Sequence, residues 1–262
     1  PGTGDGFKRF CDGETDISDA SRAIKDAEKQ TCADNGITDI IELKVGIDGI
    51  AVMTNEANDT VDCLTFLDLY ALIGPEAEGT TTWAEAAARI PGTSDLPDVP
   101  LDIFGPGEES GTYDSFIEIV LEKIAEERGQ EATTRTDYNP SADDNVILQG
   151  IQSGDTTLGW VGFAYADQAS GVKLLEVDGG DGCVPATPAT IASGEYPISR
   201  PLFIYVNAAK MADNPAIEAF VDFYMDAGLD EAVAEVDYVE LDDAAKAETR
   251  ARWDARETIA LG

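Results

Sequence analysis

Val99-Pro100-Leu101-Asp102-Ile103-Phe104-Gly105-Pro106-Gly107-Glu108-Glu109-Ser110-Gly111-Thr112-Tyr113 carries a change of period within fifteen residues. Residues 99–104 read as a strand, Gly105-Pro106-Gly107 breaks it, and from Tyr113 onward the apolar residues Phe116, Ile117, Val120, Leu121 and Ile124 fall at helical spacing, predicting a helix over 113–125. Strand, glycine loop and helix then recur on both sides. Upstream, 24–35 carries helix formers and stops at Asn35-Gly36, 40–45 and 50–54 read as two strands, and 64–73 as a helix closed by Gly74-Pro75. Downstream, 144–152 reads as a helix, 158–161 as a strand leading into a short helix through Tyr165, and 172–177 as a strand. A short helix over 188–193 precedes a strong strand over 201–207, and helices over 215–227 and 242–259 close the chain. Such alternation predicts an α/β protein. No internal repeat or low-complexity tract appears, and the Pro/Gly-rich loops at 91–100 and 179–188 do not read as flexible linkers.

Composition narrows the function. The 262 residues, 43% of them hydrophobic, suffice for one large or two medium domains, and no run approaches the ~18 to 20 apolar residues of a membrane span. Seventeen basic residues stand against 52 acidic ones, a net charge of −35. That field argues against nucleic acid or an anionic membrane as partner. Disorder also requires low hydrophobicity, and clusters such as 202–206 and 220–224 argue for a folded chain. The excess acid therefore reads as a halophile surface, because a Debye length of ~3 Å near 1 M salt makes such self-repulsion tolerable. Histidine is absent, which excludes His-dependent hydrolase chemistry. The four cysteines, Cys11, Cys32, Cys63 and Cys183, show no C-x-x-C spacing. Without His they do not suggest a zinc site, and their even number suggests two disulfides in an oxidising compartment. No metal or cofactor is expected.

Four segments could carry chemistry. Ser110 or Thr112 can cap the helix after Gly107, where unpaired first-turn N–H groups and the positive end of the dipole suit an anion; an ordinary capped helix is the plainer alternative. It is no Walker A loop, since no Gly-Lys-Ser/Thr follows. The opening Gly2-Thr3-Gly4-Asp5-Gly6-Phe7-Lys8-Arg9-Phe10 has three glycines that let a backbone approach a ligand, or simply make a turn entering a helix. In Asp16-Ile17-Ser18-Asp19-Ala20-Ser21-Arg22, hydroxyls beside a guanidinium suit a tetrahedral oxyanion, with a capped helix and a surface Arg as the plain alternative. Arg135 precedes the acidic run Asp143-Asp144-Asn145, where a surface salt bridge is the alternative.

Together, residues 2–22, Gly105-Pro106-Gly107 with Ser110-Gly111-Thr112, Ser141-Ala142-Asp143-Asp144-Asn145-Val146, and Arg200-Pro201-Leu202-Phe203-Ile204-Tyr205-Val206 closely resemble, in order, the PstS/SphX-type phosphate-binding proteins. The resemblance implies a two-lobed periplasmic-binding-protein-like fold of type II, each lobe a mixed sheet flanked by helices, with a two-stranded hinge. Lobe one would comprise 1–50 and 205–262 and lobe two 51–204, with hinge strands near 51–55 and 202–207. It further implies phosphate held between the lobes by Thr3 and Ser21 of one and Ser110, Gly111 and Thr112 of the other. Better-known members carry an Arg where Pro106 stands and some an Asp where Ser21 stands. Arg22 or Arg135 is then expected to supply the guanidinium, and Asp19, Glu109 or Asp144 the acceptor for the proton of monohydrogen phosphate, an acceptor that sulfate does not need. Such proteins also open with a strand and a hydroxyl-rich loop touching the ligand. Pro1 follows that unit, so lobe one is expected to lack a strand and part of its site. Cys11–Cys32 and Cys63–Cys183 would each staple one lobe, one of three connectivities open to four cysteines.

The function implied is extracytoplasmic phosphate binding, at the periplasm or cell surface, by a lipid- or tether-anchored monomer that is not an enzyme and that delivers phosphate to the permease subunits of an ABC transporter. A receptor for sulfate or molybdate is the near alternative. A metal-dependent phosphohydrolase using Asp143-Asp144 is a distant one, as is a Ca²⁺-binding surface protein, for which no Asp-x-Asp-x-Asp-Gly loop is present.

Overall fold

The computed structural model describes residues 2–235 and 238–261. The chain divides into two compact units, Pro1–Asp48 with Arg200–Gly262 and Gly49–Ser199. Among the described residues the strands are β1 (Ile17–Ala20), β2 (Ile40–Asn55), β3 (Cys63–Thr65), β4 (Ile103–Pro106), β5 (Asn139–Ser141), β6 (Leu158–Gly162), β7 (Val172–Leu174), β8 (Glu176–Asp178), β9 (Cys183–Val184) and β10 (Ser199–Asn207).

In the first unit β10 lies between β1 and β2, running antiparallel to β1 with Ile17 opposite Val206 and Ala20 opposite Phe203. Helix α1 (Thr3–Cys11) has Asp5 in its first turn and Lys8 and Arg9 in its last, charges that complement its dipole. Its apolar side, Phe7, Phe10 and Cys11, is buried with Ile24, Cys32, Ile40 and Tyr205. Each large side chain removed from water there contributes roughly 1.5 to 3 kcal/mol before entropy is counted. A disulfide, Cys11–Cys32, ties α1 to α2 (Asp26–Asp34). The Tyr205 hydroxyl donates to Glu42 (2.6 Å) and accepts from Ile24 N (2.9 Å), fixing the segment that follows β1.

In the second unit the later half of β2 pairs antiparallel with β6, and β6 runs parallel to β4, which runs parallel to β5. Those three parallel strands all end where helices begin. After β4 comes the helix Gly111–Phe116, after β5 the helix Asp144–Gln152 capped by Asp143, and after β6 the helix Phe163–Asp167. Three positive helix ends therefore gather at the carboxyl edge of one sheet, the customary ligand edge of α/β sheets. A smaller sheet, β3-β8-β9, is stapled by the disulfide Cys63–Cys183.

The α/β class is as expected, and several element boundaries differ. The two strands expected at 40–45 and 50–54 are one continuous strand, β2. Gly46 and Gly49 mark close neighbours and not a turn. A Cβ on Gly46 would lie 3.4 Å from Val233, and one on Gly49 would lie 2.9 Å from Ile191. The expected helix 113–125 begins at Gly111 and continues to Arg128 through a π-helical stretch, Ile117–Leu121. The strand expected at 99–104 is shifted to Ile103–Pro106. The one expected at 172–177 is split at Leu175, whose N–H donates to Val52 O while the next residues join the smaller sheet. At the carboxyl end the helix expected at 215–227 runs on from Pro215 to Glu235 through a π-helical stretch, Tyr224–Ala232, and the last helix is shorter than expected, covering Asp243–Asp254.

Candidate functional site

In the first unit the opening glycines lie within or at the start of α1. Its N-cap residue is Gly2, which supplies no side-chain cap, so the first-turn N–H groups have no such partner. Two hydroxyls and a guanidinium meet at that end. Thr3 Oγ1 lies 2.9 Å from Ser21 Oγ and accepts from Ser21 N at 3.1 Å. Arg200 Nη1 donates to Ser21 Oγ at 3.0 Å, and its Nε donates to Asp48 Oδ2 at 3.1 Å. Burial pushes the Asp48 carboxyl above its ordinary range, and the Arg200 charge partly opposes that. Arg22 is held by a bidentate pair with Glu28 (2.9 and 2.8 Å) and lies over the Phe7 ring. Burial raises the Glu28 carboxyl, but the hydrogen bonds from Arg22 and from the Lys25 N–H outweigh it, so Glu28 is held low. Asp19 is on β1, its carboxyl pushed up by desolvation.

In the second unit Ser110 caps its helix, Oγ accepting from Thr112 N at 3.2 Å, and Ser110 N donates to Gly107 O at 3.0 Å to close the turn. A Cβ on Gly111 would meet nothing within 4 Å, so the backbone there is open to a ligand. Glu109 is exposed, with its carboxylate folded back over Gly107. Asp144 is the first residue of the helix Asp144–Gln152. Beneath the loop, the Trp160 ring stacks with Phe116 (4.9 Å between centroids) and Tyr138 (5.6 Å). Gly105 permits this, since a Cβ there would lie 2.5 Å from the indole.

Arg135 does something else. It is 4% exposed, with Nε and Nη2 donating to Asp137 (2.5 and 2.8 Å), Nη1 to Thr80 Oγ1 and Leu72 O, and Nη2 also to Thr80 O. All five of its N–H donors are spent inside the unit, and none is left for a ligand. The expectation that Arg135 supplies a guanidinium to an anion therefore yields to a structural role. The sequence motifs contain Arg200 but give it no ligand role. Its signal was there: an Arg opening a strong strand, in a chain with only 17 basic residues. Among the described residues the one group with metal-ligand geometry is Cys63, Glu176 and Cys183, and both of its sulfurs belong to the disulfide.

Residues 1–227 match the family model of a PBP superfamily domain. The SphX protein of Synechocystis is 40% identical over 247 residues, 93% of this chain and 69% of that protein. The chain belongs to the PstS/SphX family of phosphate-binding proteins. The phosphate-binding protein PstS of Staphylococcus saprophyticus is 35% identical over 229 residues, 86% of this chain and 65% of that protein. The chain thus spans about two thirds of the length of these curated relatives. A possible phosphate binding protein from Planctomyces limnophilus, solved by crystallography, is similar with a TM-score of 0.85 at 35% identity, covering 98% of this chain and 86% of that one. Within this PstS/SphX-type chain the four quoted motifs fall at α1, at the β4 and β5 loops and on β10, the elements that bear the hydroxyl and Arg groups described above.

Proposed function

We propose that this PstS/SphX-type chain is a receptor that binds inorganic phosphate outside the cytoplasm and passes it to an ABC-type permease, with no catalytic step of its own. The observation that carries the reading is the meeting of Thr3, Ser21 and Arg200 at the uncapped amino end of α1. Two hydroxyls, free helix N–H groups and a guanidinium form a donor set for a tetrahedral oxyanion. Ser110, Gly111 and Thr112 form a second donor set in the other unit. Arg200 joins Arg22 as a source of positive charge, and Asp48, which shares Arg200 with Ser21, joins Asp19, Glu109 and Asp144 as an acceptor for the proton of monohydrogen phosphate. The relatives named above as phosphate-binding support the reading.

The protein acts in this reading as a monomer at a salt-rich cell exterior, tethered or lipid-anchored. No described helix is long and apolar enough to cross a membrane. The charge of −35 slows the approach of an anion more than it weakens the bound state, because the local donors act at ~3 Å while salt screens the rest. Calorimetric titration with phosphate in ~2 M KCl, where the Debye length is only ~2 to 3 Å, tests this directly. Saturable binding that equimolar sulfate does not displace is expected. Displacement by sulfate would make the protein a general oxyanion receptor, and absence of binding to either would end the proposal.

A further inference from the structure

Resting on the phosphate reading, we infer that Tyr138 is a positioning residue for the anion loop, its hydroxyl holding the Pro106 carbonyl and thereby the turn that presents Ser110, Gly111 and Thr112. The hydroxyl donates to Pro106 O at 2.6 Å, from the residue just before β5 to the last residue of β4. Pro106 and Gly107 are buried, so this carbonyl has little access to water, and losing its donor is costly.

The ring of Tyr138 is itself fixed. It stacks on Trp160, which is wholly buried and also stacks on Phe116. Phe116 belongs to the helix that Ser110 caps, and the indole edge lies against Gly105. The loop is therefore gripped at three places: Gly105 by the indole, Pro106 by the hydroxyl, and the helix behind it by Phe116. Only the turn closed by Ser110 N and Gly107 O stands between those grips and the donor set. A sub-ångström shift of that turn changes where the Ser110 hydroxyl and the Gly111 N–H point, and anion binding through such donors is sensitive to displacement. The hydroxyl stays a donor over a wide range. Desolvation, with the neighbouring Tyr113 and the Glu109 and Glu108 carboxylates, raises Tyr138 to about 12, against a smaller opposing effect of Thr134.

Tyr138→Phe keeps the stack and removes only the O–H. Its control is Tyr70→Phe in the same unit, which removes a hydroxyl bonded to Glu76 (2.9 Å), remote in sequence from the loop. The expected result is a phosphate Kd raised about 3- to 10-fold by Tyr138→Phe and left within about 2-fold by Tyr70→Phe. In a Ser110→Ala background the effect of Tyr138→Phe should shrink to under about 2-fold, since the two act through one turn. A tyrosine that merely fills the core would lower the unfolding temperature without raising Kd, and its effect would add fully to that of Ser110→Ala. Either of those results overturns the inference while wild-type phosphate binding stands. Failure of the wild-type protein to bind phosphate removes the reading on which it rests, and both then fall.

Discussion

The donor set of the first unit contains a guanidinium, and that of the second is built on a capped helix start. Around Thr3 and Ser21 the positive groups Arg200 and Arg22 are each held by a carboxylate, Asp48 and Glu28. Around Ser110 the flanking side chains are Glu108 and Glu109, and the arginine that the sequence suggested, Arg135, is consumed by Asp137 and Thr80. In a chain of charge −35, cations at a binding site are kept in place by acids that also dilute their charge. Aligned N–H dipoles need no such partners, and they lose nothing to salt at contact distance. If the proposed function holds, the charged donor set of the first unit should matter more to phosphate affinity than the neutral one of the second.

The largest effect should therefore come from Arg200→Ala. It removes charge-assisted hydrogen bonds, and phosphate Kd is expected to rise roughly 10- to 100-fold. Ser110→Ala, which removes a neutral cap from the second set, should raise Kd only about 3- to 8-fold. Calorimetry on both variants in one buffer measures the ratio. Equal losses, or a larger loss from Ser110→Ala, would break the proposed division of labour.

Arg135→Ala sharpens the same comparison from the other side. Its donors all serve the second unit, so the phosphate Kd of the folded variant should match wild type. The buried guanidinium leaves behind unsatisfied acceptors at Leu72 and Thr80, and the unfolding temperature of the ligand-free protein should fall by about 3 to 8 °C. A large rise in Kd with an unchanged unfolding temperature would restore Arg135 to the site.

How much of this was readable in the sequence depends on the kind of signal. Helices whose ends carry local chemistry were legible to the residue. Asp144–Gln152 has its Asp143 cap, and Pro188–Ser193 has Thr187 before Pro188 and a left-handed Gly194 after it. β2 was not legible as one strand. Gly46 and Gly49 look like breakers until the side chains that crowd them, Val233 and Ile191, are known, and both are far away in sequence. β5 was missed because Pro140 argues against a strand, and a three-residue strand at the end of the sheet order, paired among the described residues to β4, tolerates it. In the site, hydroxyl-rich loops next to helix starts were visible, because capping is local. The partners of the arginines were not. Arg135 and Asp137 are two residues apart, but the Thr80 and Leu72 contacts that exhaust the guanidinium are long-range, and Arg200 reaches Ser21 across 179 positions.

The smallest effect concerns Asp137 and acid. The hydrogen bonds from Arg135 hold its carboxyl down at about 2, against burial and with help from Gly79 N. A carboxyl lowered in the folded state binds its proton later than in the unfolded chain. Its contribution to stability is therefore full above the ordinary carboxylate range near 4 and is lost as pH falls towards 2. Asp137→Asn removes this dependence along with the ion pair. The difference in unfolding temperature between wild type and variant should stay constant from about pH 5 upward and narrow between about pH 4 and 2. Measuring the difference cancels the many other carboxylates that titrate in this acidic chain. A gap that persists unchanged to pH 2 would mean that the Arg135–Asp137 pair adds packing and not charge. The second unit would then keep its arginine for shape alone, and the contrast with Arg200 would be sharper still.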